Sequence, residues 1–236
     1  MYKPRGVRVP TVLLAALTLI AVYAVLVWPP PLYGVAASLS LQDDFDSGAL
    51  HALEMPFPED WEILQEGSLH YLHMERPRPP GVPRRPLQFA RLKGVEVGSF
   101  TLNVKVRRAA GSMIVVFNYV DTLHFYYAHL SVDPGTKVDV HNGIFIVDGG
   151  PRRRIAGLDA SPALPDRSWH DVRIVRDLHT GSIQVFLDQE TTPRFSVIDH
   201  TFTYGQIGLG SFDETGDFAH FRLDSNEARH SAGGKE

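Results

Sequence analysis

A chain of 236 residues with 44% hydrophobic, 21% charged and 10% aromatic side chains holds enough apolar material for one sizeable core, which excludes wholesale disorder. It contains no cysteine, so a disulfide scaffold, a thiolate zinc site and a cysteine nucleophile are excluded. The formal net charge of −4 gives no electrostatic reason to bind nucleic acid.

Residues 1–37 differ from the rest. Lys3, Arg5 and Arg8 precede an unbroken apolar run, Thr11–Trp28, which Pro29, Pro30 and Pro31 terminate. Coiled as a helix, the run spans about 27 Å, close to the ~30 Å hydrocarbon core of a bilayer. The basic flank on one side predicts a single N-terminal transmembrane helix, a signal anchor with its N-terminus in the cytoplasm. The alternative is a signal peptide cleaved at the small residues Val35-Ala36-Ala37, releasing a secreted domain. Either way residues 38–227 lie outside the cytoplasmic membrane, periplasmic or extracellular. Without the three basic residues the exported part has 20 basic against 27 acidic groups, a net −7.

From Leu41 to Asp224 the hydrophobic period is two. Phe100–Arg107 alternates, with Phe100, Leu102, Val104 and Val106 on one face. Further strands are predicted at Ser112–Val120, His124–Leu130, Gly143–Val147, His170–Arg176, Ser182–Leu187, Gln206–Ser211 and Phe218–Leu223. Turn chemistry separates them, as at Asp133-Pro134-Gly135 and His179-Thr180-Gly181. Arg76–Pro86, crowded with proline and arginine, reads as an exposed connecting loop. Residues 228–236 read as a disordered polar tail. Trp61 and Trp169 read as core anchors. Many short strands without amphipathic helices mean an all-β fold, an antiparallel sandwich or a barrel.

The order of landmarks adds to this. Asp43-Asp44-Phe45-Asp46 opens the domain; Trp61-Glu62-Ile63 and Gly67-Ser68-Leu69 follow; then come Trp169-His170-Asp171-Val172-Arg173-Ile174 and Gly205-Gln206-Ile207-Gly208-Leu209. The sequence resembles the concanavalin A-like lectin/glucanase superfamily, nearest the 3-keto-disaccharide hydrolase-like and laminin-G-like domains of bacterial envelopes. The resemblance covers most of residues 41–224. It implies a two-sheet antiparallel jelly roll with a concave face used for glycans, and no activity by itself. Glucanases of this fold carry E-x-D-x-x-E, two carboxylates sharing one strand face, and this chain lacks the motif.

A polar-aromatic cluster on the central strands is the main candidate site. Asn118, His124, Tyr126, Tyr127, Asn142 and Arg152 are candidate sugar contacts, since flat rings stack on pyranose faces while amides, imidazoles and guanidinium bond hydroxyl or acidic groups. His129 closes one strand and His141 opens the next, so a hairpin would bring the imidazoles within reach of each other. With Asp121 as orienter they form a candidate acid–base or divalent-metal site. The opposing reading makes these rings sandwich filling. Asp44 and Asp46 near the first strand and Asp224 after the last are candidate ligands for a structural calcium, because terminal strands of a jelly roll tend to pair. The functional expectation is a carbohydrate-binding module, tethered to the membrane by its N-terminal helix, with a 3-keto-glycoside hydrolase and a protein-binding laminin-G-like module as alternatives.

Overall fold

The computed structural model describes residues 37–46, 52–137 and 141–230. The apolar run Thr11–Trp28 and residues 231–236 of the predicted tail lie outside them. Among the described residues no helix is long and apolar enough to cross a membrane.

Among the described residues sixteen strands form two antiparallel sheets. The nine-stranded sheet contains β1 (Ala37–Asp43), β3 (Trp61–Glu66), β4 (Leu69–Met74), β6 (Val95–Val97), β7 (Phe100–Arg108), β12 (His170–Asp177), β13 (Ser182–Leu187), β14 (Phe195–Ile198) and β16 (Gly216–His230). The seven-stranded sheet contains β2 (Leu53–Glu54), β5 (Gln88–Leu92), β8 (Ser112–Asp121), β9 (His124–Ser131), β10 (Gly143–Asp148), β11 (Arg153–Ala156) and β15 (Gln206–Ser211). Their orders are β14-β13-β12-β7-β16-β4-β3, with β1 and β6 also on β16, and β11-β10-β9-β8-β15-β5-β2.

The period-two pattern sets which side chains meet. On β7 the residues Phe100, Leu102, Val104 and Val106 are buried, while Thr101, Asn103, Lys105 and Arg107 face outward. Their buried partners on the other sheet include Met113, Val115, Phe117, Tyr126, Ala128 and Ile144. The seven-stranded sheet is covered on both faces. Its outer side carries a second apolar layer of Phe89, Ile114, Val116, Tyr119, Phe125, Tyr127, Phe145, Val147 and Phe212. This explains why β8, β9 and β10 read as near-continuous apolar runs rather than alternating ones.

The Arg76–Pro86 loop is more than an exposed connection. The backbone N–H of Arg152 donates to the Arg84 carbonyl at 2.8 Å, and the Arg84 guanidinium sits 4.9 Å from the Phe212 ring centre. The loop thus helps cover the second layer. The predicted tail is also corrected at its start. Ala228, Arg229 and His230 belong to β16, where they pair with β6.

Two bulges matter below. The β8 register shifts around Asn118, whose φ of 45° suits an asparagine, and the β16 register shifts around His220, with φ of 49°. Gly205 packs against the first bulge. A Cβ there would lie 2.3 Å from the Asn118 carbonyl carbon, so only glycine permits the approach.

Candidate functional site

The β9–β10 hairpin pairs His129 with Gly143 and brings the two imidazoles together as the sequence suggested. Their ring centres are 4.9 Å apart and their planes differ by 5°. They also stack against Phe212. The surroundings, however, are those of a packed layer. His129 is fully buried. Its Nδ1 lies 3.1 Å from Arg152 Nη1, which can only donate, so Nδ1 accepts and Nε2–H donates to Ser112 Oγ at 2.9 Å. Burial first, then the Arg152 charge and His141, hold the His129 pKa well below its ordinary value. Burial and Arg152 lower His141 too. Among the described residues no carboxylate hydrogen-bonds either ring. The proposed orienter, Asp121, stands at the β8–β9 hairpin tip and bonds His124 Nδ1 at 2.8 Å instead. The acid–base assignment to His129, His141 and Asp121 gains no support from this geometry: the imidazoles meet, but His129 is buried, His141 is partly exposed, and neither has a carboxylate partner among the described residues.

Most of the predicted sugar contacts prove to be internal ties. Asn118 donates from Nδ2 to the Val97 carbonyl at 3.1 Å and the Thr203 carbonyl at 2.7 Å, joining the bulge to the β6 edge. Asn142 donates to the Ser161 carbonyl at 2.8 Å and accepts from the Ser131 and Ala163 amides. The Tyr126 hydroxyl donates to Asp199 and accepts from the Phe202 amide, and burial together with Asp199 pushes its pKa up to about 12. Tyr127 is buried, its hydroxyl accepting from Arg152, and burial raises its pKa. Of these six residues, only His124 and Arg152 keep appreciable exposure. Arg152 is committed to the Tyr127 and His129 rings below it and stacks 4.2 Å from the Phe212 ring centre.

The three candidate calcium ligands, Asp44, Asp46 and Asp224, are not brought together. The β1–β16 register places Ser40 opposite Asp224 and Asp43 opposite Phe221. Asp44 and Asp224 are thus about 13 Å apart along the ladder. Each has a protein partner. Asp44 accepts from His220 and Gln42, Asp224 from Arg222 and Ser40, and these bonds hold both carboxyls below their ordinary pKa. Asp46 is exposed. Among the described residues no group of three His, Asp or Glu side chains could hold a metal ion. Melting curves with added calcium and with EDTA are expected to superimpose.

The outer face of the nine-stranded sheet presents what the sequence did not single out. Its β7 residues Asn103, Lys105 and Arg107 follow one another about 6.7 Å apart. At the Arg107 end, Tyr71 and Trp169 meet edge-to-face with centres 5.7 Å apart, both partly exposed. The Arg107 guanidinium lies 4.4 Å from the Trp169 ring and 5.1 Å from that of Tyr71, and bonds Asp217 at 2.7 Å and Glu66 at 2.8 Å. His73 Nδ1 completes this network, 2.6 Å from Asp217. No group among the described residues bonds the Trp169 indole N–H or the Tyr71 hydroxyl. Trp169, read as a core anchor, is thus a surface ring, whereas Trp61 is buried as expected.

Beyond Lys105 the same face opens into a cavity of about 490 Å³. Gln42, Asp44, Asn103, Lys105, Asp171, Arg173, Asp188, His220 and Arg222 line it. Its carboxylates are engaged. Lys105 bonds Asp171 at 2.8 Å, His220 lies 2.8 Å from Asp44, and Asp188 holds His170 and the Asp171 amide. The β16 bulge is what turns His220 outward to meet Asp44.

The sequence matches no protein-family model and no curated protein. Solved structures do match. The carbohydrate-binding module CBM66 from Bacillus subtilis superimposes with a TM-score of 0.53 at 16% identity, over 74% of this chain and 96% of that one. A mutant of the GH43 protein BlXynB from Bacillus licheniformis gives a TM-score of 0.55 at 14% identity, over 78% of this chain but only 39% of that one. At such identities the likeness establishes the fold alone. The protein is an all-β, two-sheet antiparallel sandwich of the concanavalin A-like kind.

Proposed function

We propose that this protein is a carbohydrate-binding module held outside the cytoplasmic membrane, taking an oligosaccharide along the outer face of its nine-stranded sheet. One observation carries the reading. Tyr71 and Trp169 offer partly exposed rings with unpaired donors beside a polar cavity, the combination that stacks on sugar C–H faces while bonding hydroxyls. The row from Arg107 to Asn103 suits an extended chain better than a single ring. The fold shared with a carbohydrate-binding module supports the same reading by analogy. Binding without hydrolysis is favoured because the carboxylates lining the cavity are already paired with basic groups or amides. The N-terminal run Thr11–Trp28 supplies the tether in this reading, and extraction of membranes with alkaline carbonate should leave the protein in the pellet.

Affinity electrophoresis of the full-length chain through gels containing neutral and acidic polysaccharides tests the assignment. At least one polysaccharide should retard the protein. Trp169→Ala should weaken that retardation about tenfold or more, with the thermal transition kept. Retardation by none of them, or equal retardation of the variant, would remove the proposal and leave a protein-interaction role for this face.

A further inference from the structure

Among the described residues the basic side chains named on this face are each matched with a carboxylate, except in one place. Lys105 has Asp171, Arg222 has Asp224, His220 has Asp44, and Arg107 has Asp217 and Glu66. Arg173 has none. It projects from β12 into the cavity, half-buried, its guanidinium carbon 3.9 Å from the ring centre of Phe186, its cross-strand neighbour on β13. No carboxylate, carbonyl or amide oxygen among the described residues accepts from it, so all five N–H donors of its fork are available. Stacking on Phe186 fixes the plane of that fork before any ligand arrives. Across the ladder on the other side, Asn103 stands directly opposite Arg173, and its amide is likewise without a partner among the described residues.

We infer that the glycan this cavity takes is acidic, and that Arg173 receives its oxyanion while Asn103 bonds an adjacent hydroxyl. The inference rests on the carbohydrate reading above and narrows it. A neutral sugar laid over Arg173 would strip water from a charged fork without returning a counter-charge, which is costly. A carboxylate returns two parallel charge-assisted bonds in the geometry the fork already has. Asp171 and Asp188 do not supply that charge, being committed to Lys105 and to His170.

Calorimetric titration of the full-length chain with oligogalacturonate, its methyl ester, a sulfated galactan oligosaccharide and a neutral cello-oligosaccharide decides the matter. The ester keeps the ring shape and removes the charge. The acid form should bind at least about tenfold tighter than the ester, and Arg173→Ala should cut affinity for the acid about 10- to 100-fold and for the ester much less, so that the acid preference collapses. Arg173→Lys should recover only part of the loss, because an ammonium cannot make the paired bonds. A sulfated oligosaccharide preferred over the uronate, with that preference lost in Arg173→Ala, would support the same site with sulfate as its natural group. Equal binding of acid and ester, an acid preference that survives Arg173→Ala, or binding of the neutral oligosaccharide alone would overturn the inference and leave the carbohydrate reading standing. Binding of none of the four, together with no retardation by any polysaccharide in the gel assay, would overturn both.

Discussion

Replacing Arg176 by methionine is expected to lower the unfolding free energy by about 3–5 kcal/mol, the largest loss from any single side chain discussed. Arg176 is only 2% exposed. Its Nη1 donates to the carbonyls of Gly181 at 2.6 Å and Asp199 at 2.9 Å, and its Nη2 to that of Phe202 at 3.0 Å. One guanidinium thus ties the β12–β13 turn to the loop that follows β14. Methionine keeps much of the volume but leaves these carbonyls without their donor, at about 1–3 kcal/mol for each that water cannot reach. Burial lowers the Arg176 pKa, which the nearby Asp199 charge opposes. Arg176→Lys should rescue little, because a single ammonium cannot span both loops. Urea unfolding should show a lower midpoint with the slope unchanged. A loss under about 1 kcal/mol would mean that water replaces the fork and that the two loops are held by other contacts.

Arg176 also shows what the sequence could and could not disclose. The alternation of His170–Arg176 places a strand there correctly, and puts Arg176 on the inward face with Val172 and Ile174. Nothing local says that an inward arginine will find backbone carbonyls 5, 23 and 26 residues further on. The eight strands read from the sequence are all present, because each shows either a period of two or a short continuous apolar run bounded by turn residues. Those missed are short, like β6 and β11, or owe their pairing to position. The end of β16 is such a case. Asp224, Ser225 and Glu227 carry no apolar signal, yet Ser225 Oγ donates to the Ser99 carbonyl and Glu227 accepts from the Ser99 amide, so the strand continues between two neighbours.

The candidate site was half legible for a related reason. Spacing correctly predicts that His129 and His141 meet. It does not reveal that Phe212 stacks on both rings and that Arg152 bonds His129, since such packing is a long-range matter. In the same way Tyr71, Arg107 and Trp169 come from three separate stretches of chain, and only the register of β4, β7, β12 and β16 brings them to one face.

The buried imidazole has a thermodynamic consequence, the second large effect expected: stability should fall between about pH 7 and pH 5 as the unfolded chain protonates His129 more readily than the folded protein does. In the unfolded chain this ring takes up a proton near its ordinary pKa of 6.5. In the folded protein protonation is disfavoured, because the ring is buried, Nδ1 faces the Arg152 guanidinium at 3.1 Å and no carboxylate among the described residues bonds it. The unfolded state therefore binds more protons as the pH drops, and the equilibrium moves toward it. The contribution is intact above the unfolded pKa and is lost progressively below it. His141 acts in the same direction, although Asp213 partly offsets its shift. The carboxyls with lowered pKa, such as Asp166 and Asp199, lose their stabilisation only near and below their ordinary value of 3.8, outside this window. Urea midpoints measured across the range should slope downward toward acid. His129→Gln should start from a lower midpoint and slope less, because a glutamine amide can accept from Arg152 and donate to Ser112 without titrating. A midpoint that stays level down to about pH 5 would show that the folded ring protonates as readily as the unfolded one. Water would then have to enter the stack, and the second apolar layer would be open where His129 is placed in its interior.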